Sequence, residues 1–307
     1  MIRLFFRILL TLSTCFIVNS SNAIEIKCLF SDEVLSVRYG YSCWILFYDL
    51  TQLSQTSDFQ ITGNHKSNRT DNDVVNIKIT NSKIPFIIKE LFVKFPNALA
   101  FEMNEAGLKE IKSDDFKNAG NVELVYLTNN QINSIPAHGF TGLKNMNELL
   151  IQSSHVSKIH EDAFIGCYSM ITLWLFSNPI KVLHPNLFYP MTELEALHVI
   201  QSEIERLDGR LFRNNLALQS ITFQDSNISS IESNLFDNLS KVNLVNLFRN
   251  PCVDSIFIMN EVINIDVVKA GLSKCFDNFE PKVTRITMEF TGHLNLFDEK
   301  GNVIFSI

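Results

Sequence analysis

The chain has 307 residues, with 26 Lys plus Arg against 33 Asp plus Glu, a net charge of −7 and 46% hydrophobic residues. An acidic balance without basic runs argues against nucleic acid or an anionic membrane as the partner, because both reward clustered Lys and Arg. Glycines number only 11, and G-x-S-x-G, H-E-x-x-H, a phosphate-binding loop and a dinucleotide fingerprint are all missing. The sequence therefore reads as non-enzymatic and calls for no cofactor.

In chain order, Arg3 and Arg7 flank or interrupt an apolar run ending at Val18, and Ser21-Asn22-Ala23 supplies small residues before Ile24. This is the pattern of a secretory signal peptide over residues 1–23. Arg7 shortens the continuous apolar run below the roughly 20 residues a span requires. Later apolar stretches such as Trp44-Ile45-Leu46-Phe47-Tyr48 are strand-length. No membrane span is predicted, and the mature chain is expected to be soluble and secreted. Removing residues 1–23 takes away two arginines and no acid, which moves the charge to −9.

Five cysteines remain after cleavage. In an oxidising compartment the local pairs Cys28–Cys43 and Cys252–Cys275 are the economical connectivity. Each closes a loop of some 15–25 residues, worth about 3 kcal/mol by chain entropy. Residues 24–73 read as an N-terminal cap and a polar loop. Ile24, Ile26, Cys28 and Phe30, then Cys43 to Tyr48, alternate as a β-hairpin closing the first repeat, and residues 51–73 are Ser/Thr/Asn-rich. Asn68-Arg69-Thr70, Asn227-Ile228-Ser229 and Asn238-Leu239-Ser240 fit the N-glycosylation sequon.

A period of 24 residues governs 74–252. Phenylalanine recurs without slippage at Phe92, Phe116, Phe140, Phe164, Phe188, Phe212 and Phe236. The same period aligns Ile77, Phe101, Val125, Leu149, Leu173, Leu197, Ile221 and Val245 in one column. Seven full repeats run from Val74 to Lys241, and a partial eighth follows. A unit of this size cannot bury its apolar side alone, so copies must stack and share a core. The stretch before each turn alternates with period two, as a short strand does, and each strand pairs in parallel with the next about 4.8 Å away. After the strand, Asn130, Asn178 and Asn250 occupy a position where Ser82, Ala106, Ser154, Ser202 and Ser226 replace asparagine. Serine cannot make the full hydrogen-bond set of an amide.

The unit L-x-x-L-x-L-x-x-N-x-L followed by Phe resembles the leucine-rich repeat. The chain is similar to secreted insect leucine-rich-repeat proteins. Its repeat is the extracellular type also found in Toll-type receptor ectodomains and small leucine-rich proteoglycan cores. Tyr41-Ser42-Cys43, Ile61-Thr62-Gly63-Asn64-His65 and Asp73-Val74 resemble the N-terminal cap of that insect group. Asn250-Pro251-Cys252 resembles the start of a cysteine-containing C-cap, with two cysteines here instead of four. The resemblance implies an α/β solenoid: a horseshoe with a parallel concave β-sheet, an irregular or short-helical convex side, a hairpin N-cap and a C-cap over 253–307. It implies recognition or adhesion outside the cell and names no ligand. In residues 253–307 a partly helical segment to Cys275 precedes an alternating stretch with Ile286, Met288 and Phe290, and His293–Phe297 and Val303–Ile307 read as a terminal β-hairpin around the Gly-containing turn Asp298-Glu299-Lys300-Gly301-Asn302.

The strand positions between the buried columns should face solvent on the concave side. Leu124, Tyr126, Leu150, Trp174, Phe176, His198 and Ile200 gather over four adjacent strands, although the fold requires nothing apolar there. A contiguous apolar patch on a monomer usually has a use, so these residues are the candidate ligand-binding surface. His160, His184, Asp208 and Glu232 share an exposed column; it reads as a solvated ladder, since zinc needs converging ligands. Cys167 occupies the column of Leu143, Met191 and Leu239 and reads as a small buried hydrophobe, with an intermolecular disulfide as the second reading. The expected partner is an extracellular or cell-surface protein, with a microbial glycolipid as the second choice, and a homodimer is admitted. An inhibitor of an extracellular enzyme and a matrix component are the alternatives.

Overall fold

Parallel pairing with a constant repeat length produces one continuous sheet, and the computed structural model shows it as an 11-stranded sheet. Described are residues 23–32, 40–259 and 261–278, with the backbone of strands Arg285–Met288, Leu294–Phe297 and Val303–Ser306. Of the segment read as a signal peptide, 1–22 lies outside the described residues, as does the turn at 298–302.

Nine strands run parallel, from Ser42–Leu46 and Asn76–Thr80 through Thr172–Phe176 to Ser220–Thr222 and Leu244–Asn246. Their register reproduces the sequence columns: Val125 pairs with Leu149, Leu149 with Leu173, Leu173 with Leu197, Leu197 with Ile221, and Ile221 with Val245. An antiparallel strand closes each end, Leu29–Ser31 on Ser42–Leu46 and Ile256–Ile258 on Leu244–Asn246. These two strands cover edges that would otherwise expose a row of unpaired N–H and C=O groups. Disulfides Cys28–Cys43 and Cys252–Cys275 tie the same two ends.

Behind the sheet the phenylalanine column is fully enclosed, each ring 0–1% exposed. Phe116 and Phe140 centroids lie 6.0 Å apart, Phe140 and Phe164 5.6 Å, and Phe188 and Phe212 6.1 Å. The convex side is mostly turns, with the short helix Glu90–Lys94 and two-residue bridges such as Ser134–Ile135 with Lys158–Ile159. The fold is thus a parallel β-solenoid of about 7 turns.

The turn leaving each strand needs one residue in the left-handed region. Asn81, Glu105, Asn129, Ser153, Ser177, Gln201, Asp225 and Arg249 hold φ of 49–57° there, and none is glycine. Such a conformation costs a non-glycine residue about 1 kcal/mol or more. The offset is visible in the ladder: Glu105, Asn129, Ser153, Ser177, Gln201 and Asp225 each donate their N–H to a carbonyl of the following repeat.

The asparagine column then seals the turn. Asn178 Oδ1 accepts from the Ser154 and Val156 N–H groups, both at 3.1 Å, and its Nδ2 donates to the Ile151 and Phe176 carbonyls at 2.9 and 2.8 Å. Ser154 makes part of this set with its single hydroxyl proton, as expected of serine. Its hydroxyl reaches the Leu127 carbonyl at 2.7 Å and the Gln152 carbonyl at 2.9 Å, and it accepts from the Asn130 N–H.

Two regions depart from the sequence reading. Residues 51–73 are not only a polar loop, because Phe59–Thr62 forms a strand parallel to Ile24–Lys27 and buries Phe59 and Ile61. At the far end, Arg285–Met288 joins Leu294–Phe297 and Val303–Ser306 in a three-stranded antiparallel sheet, one strand more than a hairpin.

Replacing Asn178 by Ala removes the acceptor of two buried N–H groups, those of Ser154 and Val156, and the amide donor to the Ile151 carbonyl, while the Phe176 carbonyl keeps the Ser153 N–H; each group left unsatisfied costs about 1–3 kcal/mol. Asn178→Ala should lower unfolding stability by at least 2 kcal/mol, and Phe164→Ala by about 3–5 kcal/mol. Denaturant titration followed by circular dichroism checks both; an unmoved midpoint for Asn178→Ala would show that the amide does not hold the turns.

Candidate binding surface on the concave sheet

Side chains at alternate strand positions project from the concave face, and the parallel register brings like positions of successive repeats side by side. The central row reads Trp44, Lys78, Glu102, Tyr126, Leu150, Trp174, His198 and Thr222. The predicted patch residues Leu124, Tyr126, Leu150, Trp174, Phe176, His198 and Ile200 all lie on this face as one contiguous group. They are half-buried, not exposed, which corrects the solvent-facing expectation. With strands about 4.8 Å apart, large side chains lean on their neighbours and hide part of one another.

Their contacts are specific. The Trp174 and His198 rings stack at 3.9 Å between centroids, with 13° between planes, and Phe176 meets Trp174 edge-on at 5.3 Å. Trp174 Nε1 donates to Glu148 Oε1 at 3.2 Å, and the Tyr126 hydroxyl donates to the same oxygen at 2.8 Å. His198 Nδ1 lies 3.2 Å from Thr222 Oγ1. Burial, with the hydrogen bond to Glu148 second, drives the Tyr126 phenol far above its ordinary value, so it remains a donor. Burial lowers the His198 pKa below 6.5, so its imidazole is neutral near pH 7.

Glu148 is the residue that sequence reasoning missed. In the columns it stands on the strand between Tyr126 and Trp174, two residues before Leu150. Reading the columns diagonally, not only along rows, would have placed a carboxylate between two aromatic donors. At the N-terminal end of the row, Lys78 lies 4.7 Å over the Trp44 ring and 3.5 Å from Glu102 Oε1. Burial pulls the Lys78 pKa down, and Glu102 opposes it.

The other constellations resolve differently. In the exposed column, His184 pairs with Glu161 at 3.0 Å, Asp208 with Arg210 at 2.8 Å, and Glu232 accepts from the Gly209 N–H at 2.7 Å. Each takes a local partner and the column does not converge; among the described residues no group of His, Cys, Asp and Glu could hold a metal ion. Cys167 is fully buried, and burial pushes its thiol up to about 12. This enclosure favours the buried-hydrophobe reading over an intermolecular disulfide. Its column also contains Asn215, unremarked in the sequence, whose buried Nδ2 donates to the Phe188 and Met191 carbonyls at 2.8 and 2.7 Å. Asn68, Asn227 and Asn238 are all exposed.

Because the folded pKa of His198 is depressed, its neutral form contributes stability above pH about 6.5 that is lost as pH falls through the folded value. An NMR titration should find this imidazole titrating below 6.5. His198→Gln should flatten that part of the stability–pH curve.

A family model described as a BspA type leucine rich repeat region matches residues 109–243 in 6 copies. Among solved structures, the chain is similar to TLR13 in a TLR13–ssRNA13 complex, at TM-score 0.55 and 20% identity over 63% of this chain and 29% of that one. It is also similar to a leucine-rich-repeat protein of Leptospira interrogans, at TM-score 0.54 and 14% identity over 70% of this chain and 56% of that one. The chain spans less than two thirds of either neighbour, and no curated protein matches it. Repeat model, solenoid register and structural neighbours agree on leucine-rich repeats over 109–243 and on a leucine-rich-repeat fold.

Proposed function

We propose that the protein is a secreted, non-enzymatic recognition or adhesion module of the insect extracellular type, which binds a protein partner across its concave face. The observation that carries the reading is the aromatic group around Trp174. The fold needs no apolar side chain at these concave positions, yet Tyr126, Leu150 and Trp174 on one row stand together with Phe176 and Ile200 on the next. Aromatic residues dominate binding hot spots. The signal-like residues 1–23 and two disulfides, which persist in oxidising compartments, support secretion. No helix of the described residues is long and apolar enough to cross a membrane, and the three exposed sequons suit a glycoprotein.

The TLR13 neighbour is in complex with ssRNA13. For this chain an RNA partner is disfavoured: the net charge is −7 and the concave lysine, Lys78, is buried and committed to Glu102. Catalysis is disfavoured on the same face, because the hydroxyl beside His198 belongs to Thr222, which is 4% exposed. A matrix component that self-associates is the second reading. It draws on Ile256 and Ile258, 51% and 69% exposed on the terminal strand of the sheet.

The double variant Trp174→Ala/Phe176→Ala should fold with unchanged secondary structure and retain partner at least tenfold more weakly in affinity capture from extracellular fluid. Undiminished retention would remove the concave-face reading. Light scattering on the purified chain separates the second reading, which requires a dimer or larger species.

A further inference from the structure

Resting on the concave-face reading, we infer that Glu148, between Tyr126 and Trp174, is the receiving site for a cationic side chain of the partner, arginine above lysine. The site is a half-buried carboxylate whose Oε1 accepts from the Tyr126 hydroxyl at 2.8 Å and from Trp174 Nε1 at 3.2 Å. Leu150 stands between the two aromatic residues on the same strand as Glu148. A neutral glutamine oxygen would satisfy the same two donors. What the carboxylate adds is charge, and a partly desolvated charge without a counter-ion is unfavourable.

No described residue supplies that counter-ion. The ionised side chains on the described concave strands are Lys78, Glu102 and Glu148, and the first two pair with each other at 3.5 Å. Burial keeps the neighbouring His198 neutral near pH 7, and its ring is already stacked on Trp174. Glu148, two residues before the central row on its strand, therefore leaves one uncompensated negative charge beside that row.

The other end of the same row shows how this surface holds a cation. Lys78 sits over the Trp44 indole at 4.7 Å and beside the Glu102 carboxylate. Trp174 with Glu148 sets an indole and a carboxylate together again further along the sheet, with a phenol added and no lysine. A guanidinium suits this arrangement better than an ammonium. It is planar, stacks on aromatic faces, is weakly hydrated and offers several donors to one carboxylate. Cation–π contact adds to the ion pair when the site is partly desolvated.

The test uses the full chain carrying Trp44→Phe, which leaves Trp174 as the single indole of the two. N-acetyl-arginine amide is titrated against it and Trp174 emission is recorded, with N-acetyl-citrulline amide as the neutral isostere. The expected result is saturable binding of the arginine probe, at least tenfold weaker in Glu148→Gln, with the citrulline probe silent over the same range. Equal response to both probes, unchanged affinity in Glu148→Gln, or no saturable response to arginine overturns the inference. A second arm compares partner retention. If Trp174→Ala/Phe176→Ala loses the captured protein while Glu148→Gln keeps it, the concave surface stands and the cationic class is wrong. If the arginine probe binds through Glu148 while neither variant affects the captured protein, the cation site stands and the concave-face reading fails.

Discussion

Every repeat of this protein depends on its neighbour for its backbone hydrogen bonds. A single strand of five residues, such as Thr172–Phe176, finds no partner within its own coil; its N–H and C=O groups are met by Glu148–Gln152 on one side and Ala196–Ile200 on the other. The same holds for the turn after it, where Ser177 in the left-handed region donates to the Ile200 carbonyl of the following repeat. Stability is therefore distributed as interface energy between coils, and the constant repeat length is what keeps each donor opposite its acceptor. A one-residue slip would turn each buried column toward the concave face.

This dependence explains the ends. The first and last parallel strands would each have lacked a neighbour, and an antiparallel strand of three residues meets each of them, Leu29–Ser31 and Ile256–Ile258. A disulfide sits at each of these places, where stacking can supply only one interface instead of two. The convex half carries less backbone order because its packing is supplied by side chains. The enclosed phenylalanines take that role, and irregular turns suffice to connect them.

The parts of the fold legible in the sequence were those repeated often enough to form columns. Phe92 through Phe236 are identical, and their burial follows from stacking alone. The parts hidden from the sequence were single or diagonal events. Phe59 and Ile61 form a strand only because Ile24–Lys27 returns to pair with them, a contact with no period to reveal it. The left-handed turn column was obscured because Asn, Glu, Ser, Gln, Asp and Arg share it, with no glycine to mark the conformation. At the candidate surface the row of Tyr126, Trp174 and His198 was evident. The role of Glu148 was not, since its carboxylate acts across strands and two residues along.

The concave row also shows why half-burial matters more for recognition than full exposure. A fully exposed tryptophan would have to give up rotamer freedom on binding, at about 0.5–1.5 kcal/mol for each side chain immobilised. Trp174 has already lost that freedom to the His198 ring, the Phe176 edge and the Glu148 oxygen. Its remaining open surface is presented in one orientation. The same network holds Glu148 by two donors on a single oxygen, so the carboxylate is oriented before any partner arrives. Leucine-rich repeats make such an arrangement easy to build. Each concave position can vary independently while the buried columns beneath it preserve the spacing of about 4.8 Å between neighbouring strands, and that spacing lets a tyrosine and a tryptophan two strands apart reach one glutamate between them.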